Sequence, residues 1–162
     1  PCVFASNHQS TWETITTQTF LPPLAWVLKK ELFKIPVFGW GLWATRPIAI
    51  NRQDRKTARD QVVQQGQEKL NEGRYVLIFP EGTRTSYGEA GKYKRGAAML
   101  ARAGQVDLIP IAHNAGKYWS KNSWWIKPGV IRFVVGQKIE YQDRTDTEVT
   151  SDIKDWVLEQ NL

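Results

Sequence analysis

The chain has 162 residues, enough for one domain with a real core. It carries a net charge of +6, an apolar fraction of 41% and one cysteine, Cys2, so an internal disulfide is excluded. No stretch reaches the roughly 20 apolar residues of a spanning helix, and no signal-peptide pattern opens the chain.

In chain order, Val3–Ser6 reads as a short strand, with Cys2 before it as a small buried hydrophobe. Ser10–Phe20 reads as a helix stopped by Pro22 and Pro23. Ala25–Leu28 is a buried strand. Glu31–Trp43 mixes apolar and basic residues around Pro36, Gly39 and Gly41, so it is a broken helix or loop. Pro47–Asn51 is a strand. Asp54–Asn71 is the clearest helix, with Asp54 as N-cap, a four-residue repeat through Ala58, Val62, Gly66 and Leu70, and Gly73 as the stop. Tyr75–Phe79 is an apolar run of strand length. A small-residue helix at Lys94–Ala103, a buried strand at Leu108–Ala112, β-like runs at Val130–Val135 and Lys138–Tyr141, and a helix at Glu148–Gln160 complete the chain. Alternating strands and helices predict a single α/β domain over residues 1–162, with a mostly parallel central sheet and helices on both faces. In such sheets, sites form at the carboxyl ends of strands.

The charge is uneven. Residues 1–104 hold 15 Lys/Arg against 8 Asp/Glu, and residues 105–162 hold 7 against 8. Eight tryptophans accompany it. Indole is half apolar and half wet, and a basic side chain adds roughly 1 kcal/mol near anionic lipid, so the Trp26–Trp43 stretch reads as a membrane–water interface. Any single tryptophan is as readily a core residue.

Two motifs carry chemistry. In NHQSTWE, His8 and Glu13 are five residues apart, about 140° around one regular helix, so they meet only if His8 precedes the helix and Glu13 lies in its first turn. Placed so, Glu13 fixes the imidazole tautomer and His8 takes a proton from a hydroxyl. The same residues also make a capping box, with Ser10 as N-cap and Glu13 reaching back. From this motif alone the two readings are level. His113, the other histidine, reads as structural. In FPEGTR, Glu81, Gly82, Thr83 and Arg84 leave a buried strand. Gly82 admits close backbone approach, and Arg84 offers a fork suited to phosphate oxygens. Arg52, at the end of PIAINR, can reach the same cleft. Bracing of the loop by an Arg84 pair with Glu81 or Glu89 is the alternative; Glu81 reads as an ionised organiser of the loop or of an arginine and stands second to His8 as a proton acceptor. Lys92, Lys94 and Arg95 form a basic cluster just beyond. No P-loop, dinucleotide fingerprint, zinc spacing or nucleophile elbow occurs, so neither a metal nor an acyl-enzyme is expected.

These residues resemble the glycerolipid acyltransferases. NHQSTWE is similar to the first block of that family, N-H-x-S-x-x-D, with Glu13 in place of Asp. PIAINR resembles the second, FPEGTR the third without change, and LIPIA at Leu108–Ala112 the fourth. The resemblance implies that residues 1–162 form an acyltransferase-like domain lacking an N-terminal membrane-anchoring segment. It implies direct transfer of a fatty acyl group from acyl-CoA or acyl-carrier protein to the free hydroxyl of lysophosphatidic acid, giving phosphatidic acid. His8 and Glu13 would be catalytic, and Arg52, Glu81, Gly82, Thr83 and Arg84 would form the phosphate site. No bound cofactor is implied. The expected setting is a membrane surface, on the cytoplasmic face of the inner (plasma) membrane, with no nucleic-acid partner. Another acceptor, such as glycerol-3-phosphate, or a non-catalytic basic module binding anionic lipid or nucleic acid, are the alternatives.

Overall fold

The computed structural model describes residues 1–51 and 55–162. Arg52 and the proposed N-cap Asp54 lie outside the described residues.

Six strands form one sheet in the order β3-β2-β4-β1-β5-β6: β1 (Val3–Ser6), β2 (Leu24–Lys29), β3 (Ile48–Ile50), β4 (Tyr75–Ile78), β5 (Leu108–His113) and β6 (Phe133–Val135). All pairings are parallel except β5 with β6. The side-chain period of two sorts β1 and β4 between the faces. Val3, Ala5, Val76 and Ile78 face one core cluster, and Phe4 and Leu77 face the other.

The first face is covered by α3 (Arg55–Asn71), α4 (Gly96–Gly104) and α6 (Asp146–Glu159). Along α3 the four-residue repeat buries Val62 and Leu70. At Gly66 a Cβ would lie 2.5 Å from Leu100 Cδ2, so only glycine lets α3 approach α4 this closely. Gln65 bonds both backbone groups of Ala49, and Gln61 takes the Asn51 N–H. These side chains satisfy the β3 edge that a bare sheet would leave open. On the second face, α1 (Trp12–Phe20) stacks Trp12 and Phe20 near Phe133.

The 31–43 stretch folds as a 3-10 turn, Lys30–Lys34, followed by α2 (Phe38–Ala44). Its tryptophans divide. Trp26 packs half-buried on the second core cluster, whereas Trp40 and Trp43 stand exposed. Several boundaries differ from the sequence reading, β6 beginning at Phe133 and not Val130, and two differences have a clear cause. The α6 helix starts at Asp146 because Thr145 and Glu148 form a capping box, a T-x-x-E signal present in the sequence. Residues 138–141 are not a strand. Gly136 and Ile139 donate to the Pro110 and Leu108 carbonyls, but Pro110 has no N–H to return, so the ladder beside β5 stays incomplete.

Candidate active site

Three neighbouring parallel strands, β4, β1 and β5, end on one edge of the sheet, and the polar motifs leave from those ends. His8 follows β1, so it precedes α1, and Glu13 is the second residue of that helix. His8 Nδ1 lies 2.8 Å from Glu13 Oε1. The same oxygen accepts the backbone N–H groups of Gln9 and Ser10, each at 2.8 Å. One carboxylate therefore reaches back to the Ser10 N–H and holds the imidazole, although the N-cap of α1 is Thr11, not Ser10, and makes no side-chain cap bond. The reciprocal half of the box is replaced: Ser10 Oγ accepts the Trp12 N–H at 3.1 Å. The extra methylene of Glu13, relative to Asp in the resembling block, does not keep it from His8.

Glu13 is fully buried. Burial by itself raises a carboxyl, but the His8 hydrogen bond, the neighbouring imidazole of His113 and the Ser10 N–H outweigh it and hold Glu13 below the ordinary value. An ionised carboxylate accepts only, so Nδ1 of His8 donates and the lone pair stays on Nε2. That nitrogen has no partner among the described residues. The His8 ring stacks on Phe79, with centroids 4.1 Å apart, and its side chain is 17% exposed.

The Phe79–Arg84 segment wraps this loop. Thr85 donates its N–H to the His8 carbonyl at 2.8 Å. Arg84 Nη1 donates to Thr11 Oγ1 at 2.9 Å. Arg84 thus stands beside the start of α1, and among the described residues it forms no ion pair with Glu81 or Glu89. Gly82 adopts φ 71°, and a Cβ there would meet Lys94 Nζ at 2.5 Å. Glycine supplies both the left-handed backbone and the room for that ammonium. Lys94 of the basic cluster therefore adjoins the 82–84 turn. Thr83 is exposed. Glu81 points inward: it is buried, its Oε1 accepts the His8 N–H at 3.1 Å, and burial raises its carboxyl despite that bond. An inward Glu81 braces the His8 loop, which fits the loop-organising role read for it and not direct contact with an anion.

His113 closes the cluster from β5. Asn7 Oδ1 accepts the His113 N–H at 3.1 Å, and Asn7 Nδ2 donates to the His113 carbonyl at 2.8 Å. His113 Nε2 bonds the Asn7 carbonyl at 3.0 Å, and Nδ1 takes the Ala115 N–H at 3.3 Å. Burial pushes this imidazole below its ordinary value, against the pull of Glu13. Both ring nitrogens are engaged, so His113 is structural. The Asn7 clamp, the Thr11 acceptor and the Phe79 stack were missed in the sequence reading, although all three lie within or beside the two motifs. Of two cavities, the one with His113 in its lining borders the cluster. One of ≈ 210 Å³ includes Asn7, Gln9, Glu81 and His113 in its lining. The other, of ≈ 350 Å³, is lined by Tyr87, Lys117, Tyr118, Trp125 and Lys127 among others. Neither is lined by His8 or Arg84.

This is an α/β domain with its histidine–carboxylate pair on the carboxyl edge of a parallel sheet. The chain belongs to the acyltransferase family, whose family model matches residues 1–114. It is 46% identical over 162 residues to the 1-acyl-sn-glycerol-3-phosphate acyltransferase of Pseudomonas aeruginosa, covering 98% of this chain and 63% of that protein. The enzyme of the same name from Helicobacter pylori is 37% identical over 107 residues, covering 65% of this chain and 45% of that one. The crystal structure of the 1-acyl-sn-glycerophosphate (LPA) acyltransferase PlsC from Thermotoga maritima shares the fold, with a TM-score of 0.75 at 24% identity over 99% of this chain and 66% of that chain. The chain thus spans less than two thirds of each of these relatives.

Proposed function

We propose that this chain carries the acyl-transfer site of a 1-acylglycerol-3-phosphate acyltransferase, moving a fatty acyl group from a thioester donor, acyl-CoA or acyl-carrier protein, to lysophosphatidic acid. The observation that carries the reading is the 2.8 Å His8–Glu13 contact, which leaves Nε2 open, with Arg84 tied to Thr11 at the start of the same helix. Nε2 takes the acceptor's hydroxyl proton as the oxygen attacks the thioester carbonyl. The C–S bond then breaks, and the imidazolium returns the proton to the leaving thiolate. Glu13 fixes the tautomer and stabilises the imidazolium between these steps. Arg84, with the exposed Thr83 and the 82–84 backbone, receives the acceptor phosphate, and Arg52 is assigned to the same anion. No bound cofactor is needed for this sequence. The relatives' printed names support the acceptor. The exposed Trp40 and Trp43 beside Lys29, Lys30 and Lys34 support work at a membrane surface, assigned to the cytoplasmic face, although among the described residues no helix is long and apolar enough to cross a membrane.

The test is a mass-balanced assay with palmitoyl-CoA or palmitoyl-carrier protein and a panel of lysophosphatidic acid, glycerol-3-phosphate and uncharged lysolipids. Thiol release with phosphatidic acid formed only from lysophosphatidic acid is expected. Turnover confined to an acceptor without a phosphate monoester would overturn the assignment. Arg84→Ala should raise the acceptor KM roughly tenfold or more while leaving the donor KM unchanged, as expected for one charged hydrogen-bond partner lost.

A further inference from the structure

The balanced charge of the C-terminal part conceals a one-signed segment. From Leu108 to Ile139 the chain carries Lys117, Lys121, Lys127, Arg132 and Lys138 and no Asp or Glu. In its middle, Trp124 is 97% exposed and Trp125 85%, followed by the exposed Ile126. Three consecutive large apolar side chains at a loop tip are costly in water unless something covers them.

The tip is held out by its own backbone. Lys127 donates its N–H to the Tyr118 carbonyl at 2.8 Å, which closes the base of the loop. Trp119 Nε1 donates to the Ser123 carbonyl at 2.9 Å. Ser123 Oγ accepts the Trp125 N–H and donates to the Trp125 carbonyl, both at 3.0 Å. Polar groups tied this way fix the turn, and the fixed turn presents the indoles of Trp124 and Trp125 to solvent.

A second exposed cluster stands elsewhere in sequence. Ile35, Val37, Trp40 and Trp43 are exposed after β2, next to Lys29, Lys30 and Lys34. Sheet topology relates the two. The 30–44 insertion follows β2 and the 119–127 loop follows β5 and the short helix α5 (Ala115–Tyr118), so both leave the carboxyl edge of parallel strands. In the strand order, β4 and β1 lie between β2 and β5. Those two strands carry the Glu81–Arg84 and His8 loops. The two aromatic clusters therefore bracket the His8 edge, and a surface that meets both lies across it.

We propose that Ser123–Lys127 is a docking tip that, together with the 35–43 segment, seats the carboxyl edge of the sheet on an anionic phospholipid bilayer. Indoles occupy the interface, and the acid-free basic segment complements the lipid charge. The His8 edge of the sheet then faces the layer that holds a lysolipid hydroxyl. This deepens the acyl-transfer reading and rests on it for the site, but the primary measurement needs no turnover.

The experiment is sedimentation of the 162-residue chain with phosphatidylcholine vesicles, with and without phosphatidylglycerol. Trp124→Ser combined with Trp125→Ser should lower partitioning to both vesicle types by roughly tenfold or more, since two indoles lose their buried surface. Because both residues are exposed, far-UV circular dichroism should be unchanged. Lys121→Glu combined with Lys127→Glu should weaken binding roughly tenfold only where phosphatidylglycerol is present. In the tryptophan variant, acylation of a short-chain acceptor dispersed as monomers should match the parent, while acylation of a vesicle-borne acceptor should fall in step with partitioning. Unchanged partitioning of the tryptophan variant overturns the proposal. So does an unaltered ratio of vesicle to monomer turnover. If no acceptor is turned over at all, the acyl-transfer reading fails and the vesicle result still decides the docking surface.

Discussion

His8 and His113 leave the ends of neighbouring parallel strands, and one carboxylate, Glu13, lies between them. Their surroundings differ. His8 spends one nitrogen on Glu13 and keeps the other open at a partly exposed ring. His113 is buried, with Nδ1 on Ala115 and Nε2 on the Asn7 carbonyl. Under the proposed mechanism the same side chain is a proton carrier in one place and a brace in the other, and the number of engaged nitrogens decides which. The brace serves the carrier: the paired Asn7–His113 hydrogen bonds extend the β1–β5 ladder by one side chain and hold the residue next to His8.

Exchanging the two roles by mutation is the sharpest way to break this contrast. His8→Ala should lower kcat roughly 1,000-fold, the scale of general-base catalysis, with little change in melting temperature. His113→Ala should do the reverse, lowering stability by about 3 kcal/mol through the lost packing and two unpaired backbone groups. At a temperature where that variant is folded, its kcat should stay within roughly tenfold of the parent. A large loss of kcat in folded His113→Ala with near-normal turnover in His8→Ala would reverse the assignment.

Glu13→Gln gives a smaller effect. The amide oxygen still accepts from Nδ1, but the charge that stabilises the imidazolium is gone. A fall in kcat of roughly 100-fold is expected, with the acceptor KM little changed. An equal loss in KM and none in kcat would make Glu13 a cap and nothing more.

The smallest effect separates the two histidine environments by pH. The unfolded chain protonates His113 near its ordinary value of 6.5, whereas burial depresses the folded value. Stability therefore falls as pH drops below about 6.5, because the unfolded state binds the proton first, by at most about 1.4 kcal/mol per pH unit. Glu13 acts lower: its folded value is depressed from 4.5, so its contribution is full above that value and is lost as pH falls below it. Urea midpoints at about pH 7.5 and about pH 5.5 should move less in His113→Asn than in the parent. Equal shifts would place the proton-linked loss elsewhere.

Much of the fold was legible because strands buried on both faces read as short apolar runs, as in YVLI and LIPIAH, and because α3 repeats its buried positions every four residues. The site was legible in part. A capping box and a catalytic pair make the same sequence, and nothing in NHQSTWE says that one oxygen serves both. The role of Glu81 was legible only in kind: a carboxylate beside a Gly-Thr-Arg turn reads as an organiser of the loop or of an arginine, and only the fold shows that its partner is the His8 N–H.

By itself the sequence determined the strand–helix alternation, the residue types at the site and the requirement that His8 lie outside the helix that holds Glu13. Those follow from local periodicity and helix geometry, which act over a few residues. Only the tertiary structure decided that β4 and β1 sit between β2 and β5, which brings His8 and Arg84 side by side and places an exposed aromatic cluster on either flank. Strand order is set by which apolar faces pack together across long loops, and no local pattern carries that information.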